Sequence, residues 1–325
     1  MNIVTEDTLL KEILPITGRS EYLKSLGCIS YGWFVDEKFI LPYIIEKKAI
    51  FKRMVFTTQA IPKIDDNIDD DDEKIFLEKV IEKAKEMCVD FIYQPRTTAL
   101  FKSYPEGSIF APFGTYVVDL ELDEDQLLKS FHGKHRNAIK KAIKDGVIIN
   151  SGESVISRCH SIIKDTMERQ NRGFLNMSYL QLMSKNMKEN VSFYVSEYLG
   201  EDQGCAIVVW SKNKSAYYLH GGSAGRPATG ANNYLQWEIM LDMKAKGVKY
   251  YNFVGARINP KKGSKQEGMQ RFKSRFGATL ETGYLWKYPI KKYKYWLFKT
   301  LVSLSATIKR NSQHYDIIDE ENNAK

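Results

Sequence analysis

Over the first sixty residues the apolar positions fall in short runs, Gly32-Trp33-Phe34-Val35, Phe39–Ile45 and Phe51–Phe56, with the charged turn Asp36-Glu37-Lys38 between the first two. Runs of this length, rich in aromatic and β-branched residues, predict strands. The acidic block at 65–73, DDNIDDDDE, predicts a solvated loop. It also puts negative charge ahead of an apparent helix over Lys74–Met87, where the helix dipole favours it. Val89–Tyr93 and Gly114–Leu120 predict further strands. Leu127, Leu128, Phe131, Ile139 and Ile143 recur at helical spacing, so residues 122–145 form one long helix or a helix pair, stopped by Gly146.

Beyond residue 150 the pattern is cleaner. Ser154–Gln170 and Tyr179–Asn190 predict helices. Val191–Leu199, Cys205–Ser211 and Ser215–Gly221 predict strands, the first two joined by the turn Gly200-Glu201-Asp202-Gln203. Tyr234–Lys246 predicts a helix closed by Gly247, and Tyr250–Val254 another strand. Two helices, hairpin-connected strands, then helix and strand is an order that suits an α+β domain; a doubly wound fold alternates β and α throughout. The expected division is an N-terminal domain over 1–148 joined by a C-terminal helix over 285–310, a second domain over 149–284, and a polar, disordered tail over 311–325. The halves share a rough order of strands and helices, a hint of duplication.

The length, 325 residues, suits two domains, and 43% hydrophobic with 27% charged residues is a globular balance. A formal net charge of +8 favours anionic partners: nucleic acid, phosphorylated cofactors, nucleotide sugars or acidic lipid surfaces. Solubility alone accounts for it equally well. The four cysteines are far apart with no CxxC pair, so no zinc site and no bound metal are expected. The N-terminus lacks a basic stretch followed by an apolar run, and the expected compartment is the cytoplasm. No window approaches the ~20 apolar residues of a membrane span. The nearest, Trp296–Ile308, is interrupted by Lys299.

Three segments carry candidate chemistry. In the first, Lys134, Arg136, Lys140 and Lys141 line one face of a helix, either a phosphate or RNA contact or an ordinary solvated face. His132 and His135 stand three apart with no third ligand near them in sequence. In the second, the strand Tyr217–Ser223 runs into a glycine-containing loop and then a helix from Asn232. Backbone N–H groups around Arg226, Gly230 and Ala231 offer a cradle for an anion, such as a cofactor pyrophosphate, or are merely a turn. The letters Gly-x-Ser-x-Gly at 221–225 are not a hydrolase elbow, since Arg226-Pro227 and more loop precede the helix. In the third, a flexible basic loop with Lys261, Lys262 and Lys265 leads to Arg271-Phe272-Lys273-Ser274-Arg275-Phe276-Gly277. A lysine partly desolvated between Phe272 and Phe276 can stabilise an oxyanion or carry a lowered pKa; otherwise it is a surface lysine on an amphipathic turn.

These segments resemble the Fem family of peptidoglycan-bridge aminoacyltransferases and the wider group of GNAT-fold proteins. Lys134-His135-Arg136-Asn137-Ala138-Ile139-Lys140-Lys141-Ala142 is similar to the family's basic helix, and Met167-Glu168-Arg169-Gln170 followed by Tyr179 to its arginine–tyrosine region. Tyr217–Ser223, Leu235–Glu238, Tyr251–Gly255 and the Phe272–Gly277 close come next, in the family's order. The long coiled-coil arm of some members is missing. The resemblance implies two GNAT-like domains, each a mixed, mostly antiparallel sheet flanked by helices, with a cleft between them. It implies attack by a substrate amine on an activated acyl carbonyl, with aminoacyl-tRNA as donor and a peptidoglycan precursor as acceptor. It places Lys273 and Phe272 at the acyl carbonyl or the donor's 3′ end and Arg169 on the anionic acceptor. Tyr218 or His220, with Ser223 and Tyr179, lines the site.

Three functions stay open at this point. One is tRNA-dependent aminoacyl transfer to a cell-wall precursor. Another is N-acylation of an amino sugar of a surface polysaccharide from acyl-CoA or an acyl carrier protein. The third is a non-catalytic binding protein. None requires a tightly bound cofactor. The acceptor in the first two is an anionic envelope precursor, a nucleotide sugar or a lipid-linked one. Lys287, Lys291, Lys292 and Lys294, interleaved with Tyr288, Tyr293, Tyr295 and Trp296, suit either a peripheral membrane contact or a helix packed on the first domain.

Overall fold

The computed structural model describes residues 1–64, 69–308 and 316–323. It divides into two compact units, Met1–Gly114 with Thr282–Lys325, and Thr115–Glu281.

The first unit opens with β1 (Asn2–Val4), α1 (Ser20–Ser25), β2 (Ser30–Val35), β3 (Phe39–Lys48), β4 (Phe51–Phe56), β5 (Ile61–Pro62), α2 (Asp70–Glu86) and β6 (Phe91–Ile92). The sheet runs β1-β2-β3-β4-β6, with β5 beside β3; the pairs are antiparallel except β4–β6. Phe39 to Ile45 are all buried, so β3 is covered on both faces. Phe39, Leu41, Tyr43 and Ile45 share one face and meet Phe76, Leu77, Val80 and Ile81 of α2. That helix starts at Asp70 rather than Lys74. Asp69 caps it, its carboxylate accepting the Asp72 N–H at 2.8 Å, and Asp70, Asp71 and Asp72 lie in the first turn. The acidic run beyond Asp69 is therefore helix, held at the positive end of the dipole, while 65–68 lie outside the described residues.

β7 (Ile109–Asp119) leads into the second unit, which continues with α3 (Glu124–Ser130), α4 (Gly133–Asp145), β8 (Ile148–Ser151), α5 (Ile156–Glu168), α6 (Met177–Met187), β9 (Val191–Tyr198), β10 (Glu201–Trp210), β11 (Ser215–Ser223), α7 (Ala231–Ala245), β12 (Tyr250–Asn252) and α8 (Lys265–Ser274). With β13 (Thr279–Lys287) at the edge, its sheet runs β13-β7-β12-β11-β10-β9-β8; from β7 to β8 the pairs are antiparallel except β11–β12. The 122–145 segment is a helix pair: Phe131 leaves the helical region and the His132 ring caps α4, Nδ1 accepting the Lys134 N–H at 3.1 Å. Leu127, Phe131 and Ile139 pack with Val118, Trp237, Phe253 and Phe276. This packing corrects the expected boundary at 148: residues 115–148 belong to the core of the second unit. A second correction concerns Lys265, expected in a flexible loop. It is the first residue of α8, whose N-cap Ser264 accepts the Glu267 N–H at 3.2 Å.

β13 (Thr279–Lys287), α9 (Lys292–Ile308) and α10 (Ile317–Asn323) return the chain to the first unit. Tyr295 and Phe298 of α9 pack on Phe51 and Phe91. The expected polar tail is corrected over 316–323. Ile318 is fully buried with Ala111, Phe113 and Leu285. Asp316 and Asp319 accept from Lys287, whose side chain is 0% exposed, at 2.7 and 2.8 Å. The segment is polar because it supplies counter-charge to a buried ammonium. Residues 311–315 and 324–325 of that expected tail lie outside the described residues.

Candidate active site

β11 and β12 pair only through Ser215–Tyr217 and Tyr250–Asn252. β12 then stops while β11 runs on to Ser223, so the sheet splits along this line. On its other edge β11 slips register at the same level: Ile207 faces His220 and Val208 faces Tyr218, leaving Leu219 as a bulge.

Past β12 the backbone turns left-handed twice, at Val254 (φ 51°) and Gly255 (φ 66°). A β-branched residue in that region costs about 1–3 kcal/mol and needs outside support. Asn252 supplies it, its Oδ1 accepting the Val254 N–H at 2.8 Å and the Thr115 hydroxyl at 2.5 Å. The turn aims two carbonyls at one point, where Lys273 of α8 donates to Val254 O and, at 2.7 Å, to Gly255 O. No carboxylate among the described residues pairs with this ammonium. Burial pushes its pKa down to about 8. At pH 7 the charged form still predominates by about ten to one.

Lys273 is held in place by α4. The neutral His135 ring, 6% exposed and with its pKa lowered by burial, donates from Nε2 to Phe272 O at 3.0 Å. The His132 N–H donates to Arg275 O at 2.9 Å. The Phe272 ring lies against His135 and Phe276. Sequence reasoning considered the two histidines only as metal ligands. Their three-residue spacing at the start of a helix was the available signal, but their carbonyl partners lie 137 and 143 residues away in the chain and are set by the fold. Asn252 and Val254 lie in the Tyr251–Gly255 segment of the resemblance, but nothing in the sequence marked them or Thr115 as supports of this turn.

Four candidates cluster at the far end of β11. Tyr179 Oη stands 3.3 Å from His220 Nε2. Arg169 donates to the Ser223 carbonyl and, at 3.1 Å, to the Thr166 hydroxyl, which itself takes the Ser223 N–H at 3.0 Å. Lys265 lies close by: its pKa is lowered first by burial, then by Arg172 and Arg169. Three cations thus share one neighbourhood, and Arg172 is the member that sequence reasoning missed. Tyr218 folds its hydroxyl over Gly221, where a Cβ would sit 1.8 Å from it. Burial, with the neighbouring Cys205 and Cys159, raises the Tyr218 pKa. At Gly222 a Cβ would lie 2.8 Å from the Ile162 carbonyl of α5. These glycines admit a side chain and a helix backbone at close range, so they serve packing.

Part of the loop before α7 is tied down from within. The Ala228 N–H donates to Gln203 Oε1 at 2.7 Å, and the Ala224 and Ala231 N–H groups donate to backbone carbonyls. Gly230 (φ 83°) is pressed on α4 so closely that a Cβ would lie 2.1 Å from Ala138 O. Ala231 is fully buried with Ala142 and Val147, while Arg226 is exposed. Of the three residues expected in a pyrophosphate cradle, Ala231 has its N–H taken by the Ala228 carbonyl. The basic helix also divides. Arg136 turns back onto the carbonyls of Lys129 and Phe131, and Lys141 pairs with Asp145 at 2.7 Å. Lys134 and Lys140 are exposed, as are Lys261 and Lys262 in the loop before α8. Among the described residues no three His, Cys, Asp or Glu side chains gather as a ligand set, and no helix is long and apolar enough to cross a membrane.

A mixed sheet that splits between two parallel strands, with helices on its faces, is a GNAT-like fold, and the protein is a transferase. Residues 105–199 and 204–303 match the FemAB family, and the chain belongs to it. Among solved structures it is similar to one described as FemX, at 14% identity and a TM-score of 0.65, covering 91% of this chain and 99% of that one. It is also similar to L-PGS from Bacillus licheniformis, at 14% identity and TM-score 0.52, covering 90% and 92% of the two chains. A conserved protein of unknown function from Bacteroides thetaiotaomicron matches at 11% identity and TM-score 0.53, covering 83% and 89%. At such identities the likeness is one of fold. No curated protein matches the sequence.

Proposed function

We propose that this protein transfers an aminoacyl group from aminoacyl-tRNA to an amine of an anionic cell-envelope precursor. The observation that carries the reading is Lys273, an ammonium held by two carbonyls in a supported turn and paired with no carboxylate among the described residues. In the reaction the acceptor amine attacks the ester carbonyl, the new C–N bond forms, and negative charge develops on the carbonyl oxygen. The ester C–O bond then breaks; the amine loses a proton and the tRNA hydroxyl gains one. On this reading Lys273 stabilises the oxyanion and passes a proton to the leaving oxygen. A covalent nucleophile is not needed, because orientation supplies much of the rate. Arg169, Arg172 and Lys265 suit the acceptor's phosphate, and Tyr179 with His220 lines the same strand end.

The donor is read as tRNA on the exposed positive charge of this unit. Exposed Lys134, Lys140, Lys261 and Lys262 suit an RNA backbone. The test is mass-spectrometric detection of transfer to nucleotide-linked and lipid-linked muropeptides, with aminoacyl-tRNA or acyl-CoA as donor. Amide product from the tRNA arm alone, strongly slowed by Lys273→Ala, supports the reading. Product from acyl-CoA alone overturns it.

A further inference from the structure

α9 is apolar on two sides. One side, Tyr295, Phe298 and Val302, packs on Phe51 and Phe91. On the opposite side Tyr293, Trp296, Leu297, Leu301 and Leu304 recur at helical spacing and are 69, 68, 36, 46 and 55% exposed. A helix apolar on both sides is ordinarily buried on both, and an exposed stripe of this kind marks a contact surface. We propose that this stripe docks the protein on an anionic lipid surface.

Three features select lipid over protein. The aromatic residues Tyr293 and Trp296 sit in the first turns of α9 and the leucines come after them, an arrangement suited to headgroups and acyl chains respectively. The aromatic end also carries excess positive charge. Lys291 and Lys294 share the single carboxylate Asp90, each at 2.9 Å, and Lys292 is exposed. Beside the helix, Phe51 packs on Phe298 at the foot of the β3–β4 turn, where Lys47 and Lys48 are exposed and Ile50 is 66% exposed. Of the carboxylates near the helix, Asp316 and Asp319 are held by buried Lys287 and by Lys299. Finally, five side chains on one helix offer a few hundred Å², short of the roughly 800 Å² per partner of a stable protein interface. An interfacial helix with adjacent lysines needs no more area than this to bind reversibly.

The test is flotation of the full-length chain with phosphatidylcholine vesicles, with and without phosphatidylglycerol. Neither donor nor acceptor is present, so the outcome is independent of the transfer reaction. The chain is expected to float only with the anionic vesicles. Leu304→Glu and Trp296→Ala should each weaken this by roughly tenfold or more while leaving the melting temperature in place. Raised salt should weaken it too. Vesicle binding that both variants retain overturns the proposal. So does a chain that ignores vesicles, or one that sediments as a dimer dissociated by Leu304→Glu.

Discussion

Two lysines withdrawn from water show how differently the same group can be used. Lys287, in the first unit, is fully buried and meets two carboxylates, Asp316 and Asp319. Lys273, in the second, meets only the carbonyls of Val254 and Gly255. A buried ion pair is closed: its charge is spent within the fold. An ammonium held by neutral dipoles keeps its charge available for an anion that forms later. The penalty for leaving it uncompensated appears as a pKa pushed down to about 8.

The comparison can be broken at either lysine. Lys287→Ala strands Asp316, 8% exposed, and leaves Asp319 to Lys299 alone, so stability should fall by about 3–5 kcal/mol, read from chemical denaturation. Lys273→Ala should instead retain the fold and reduce kcat by about 10²- to 10³-fold. If the two variants exchanged these phenotypes, the assignment of roles would be wrong.

The pH response sharpens it. Transfer by the wild-type chain should decline as pH rises through about 8, where Lys273 loses its proton. Lys273→Arg keeps its charge and should lose that limb, whatever its absolute rate. Stability should move the other way. The folded pKa lies below the unfolded value of 10.5, so this group's contribution is fully present above 10.5 and is lost as pH falls through about 8. The melting temperature of the wild type relative to Lys273→Met should therefore rise between those limits. The smallest effect belongs to an exposed lysine. Lys141→Ala breaks the exposed pair with Asp145 and should leave the midpoint of chemical denaturation where it is in the wild type.

Much of the fold was legible in the chain. The strands at 32–56 and 191–223 and the helices of the second unit announce themselves by periodicity, and the residue order at 217–277 pointed to the family before any geometry was known. Lys273 was legible for a local reason: Phe272 and Phe276 flank it and bring their own desolvation. The boundary at 148 was misplaced because Gly146 ends a helix convincingly, whereas domain membership is fixed by the partners of Phe131 and Ile139. The glycines at 221, 222 and 230 looked like a ligand loop because a backbone that must admit a ligand and one that must admit another helix select the same residue.

The sequence by itself determined the elements, the apolar faces they bury and the positions rich in charge, since each depends on spacing within a few residues. The tertiary structure alone decided which charges are neutralised. Arg136 is turned onto α3, Lys287 is enclosed by Asp316 and Asp319, and Lys273 is left facing two carbonyls. The energy of a charge depends on the distance and burial of its partners. For Lys273 the partners stand 18 and 19 positions away, and for Lys287 the Asp316 carboxylate stands 29 away, separations across which only the fold brings groups together.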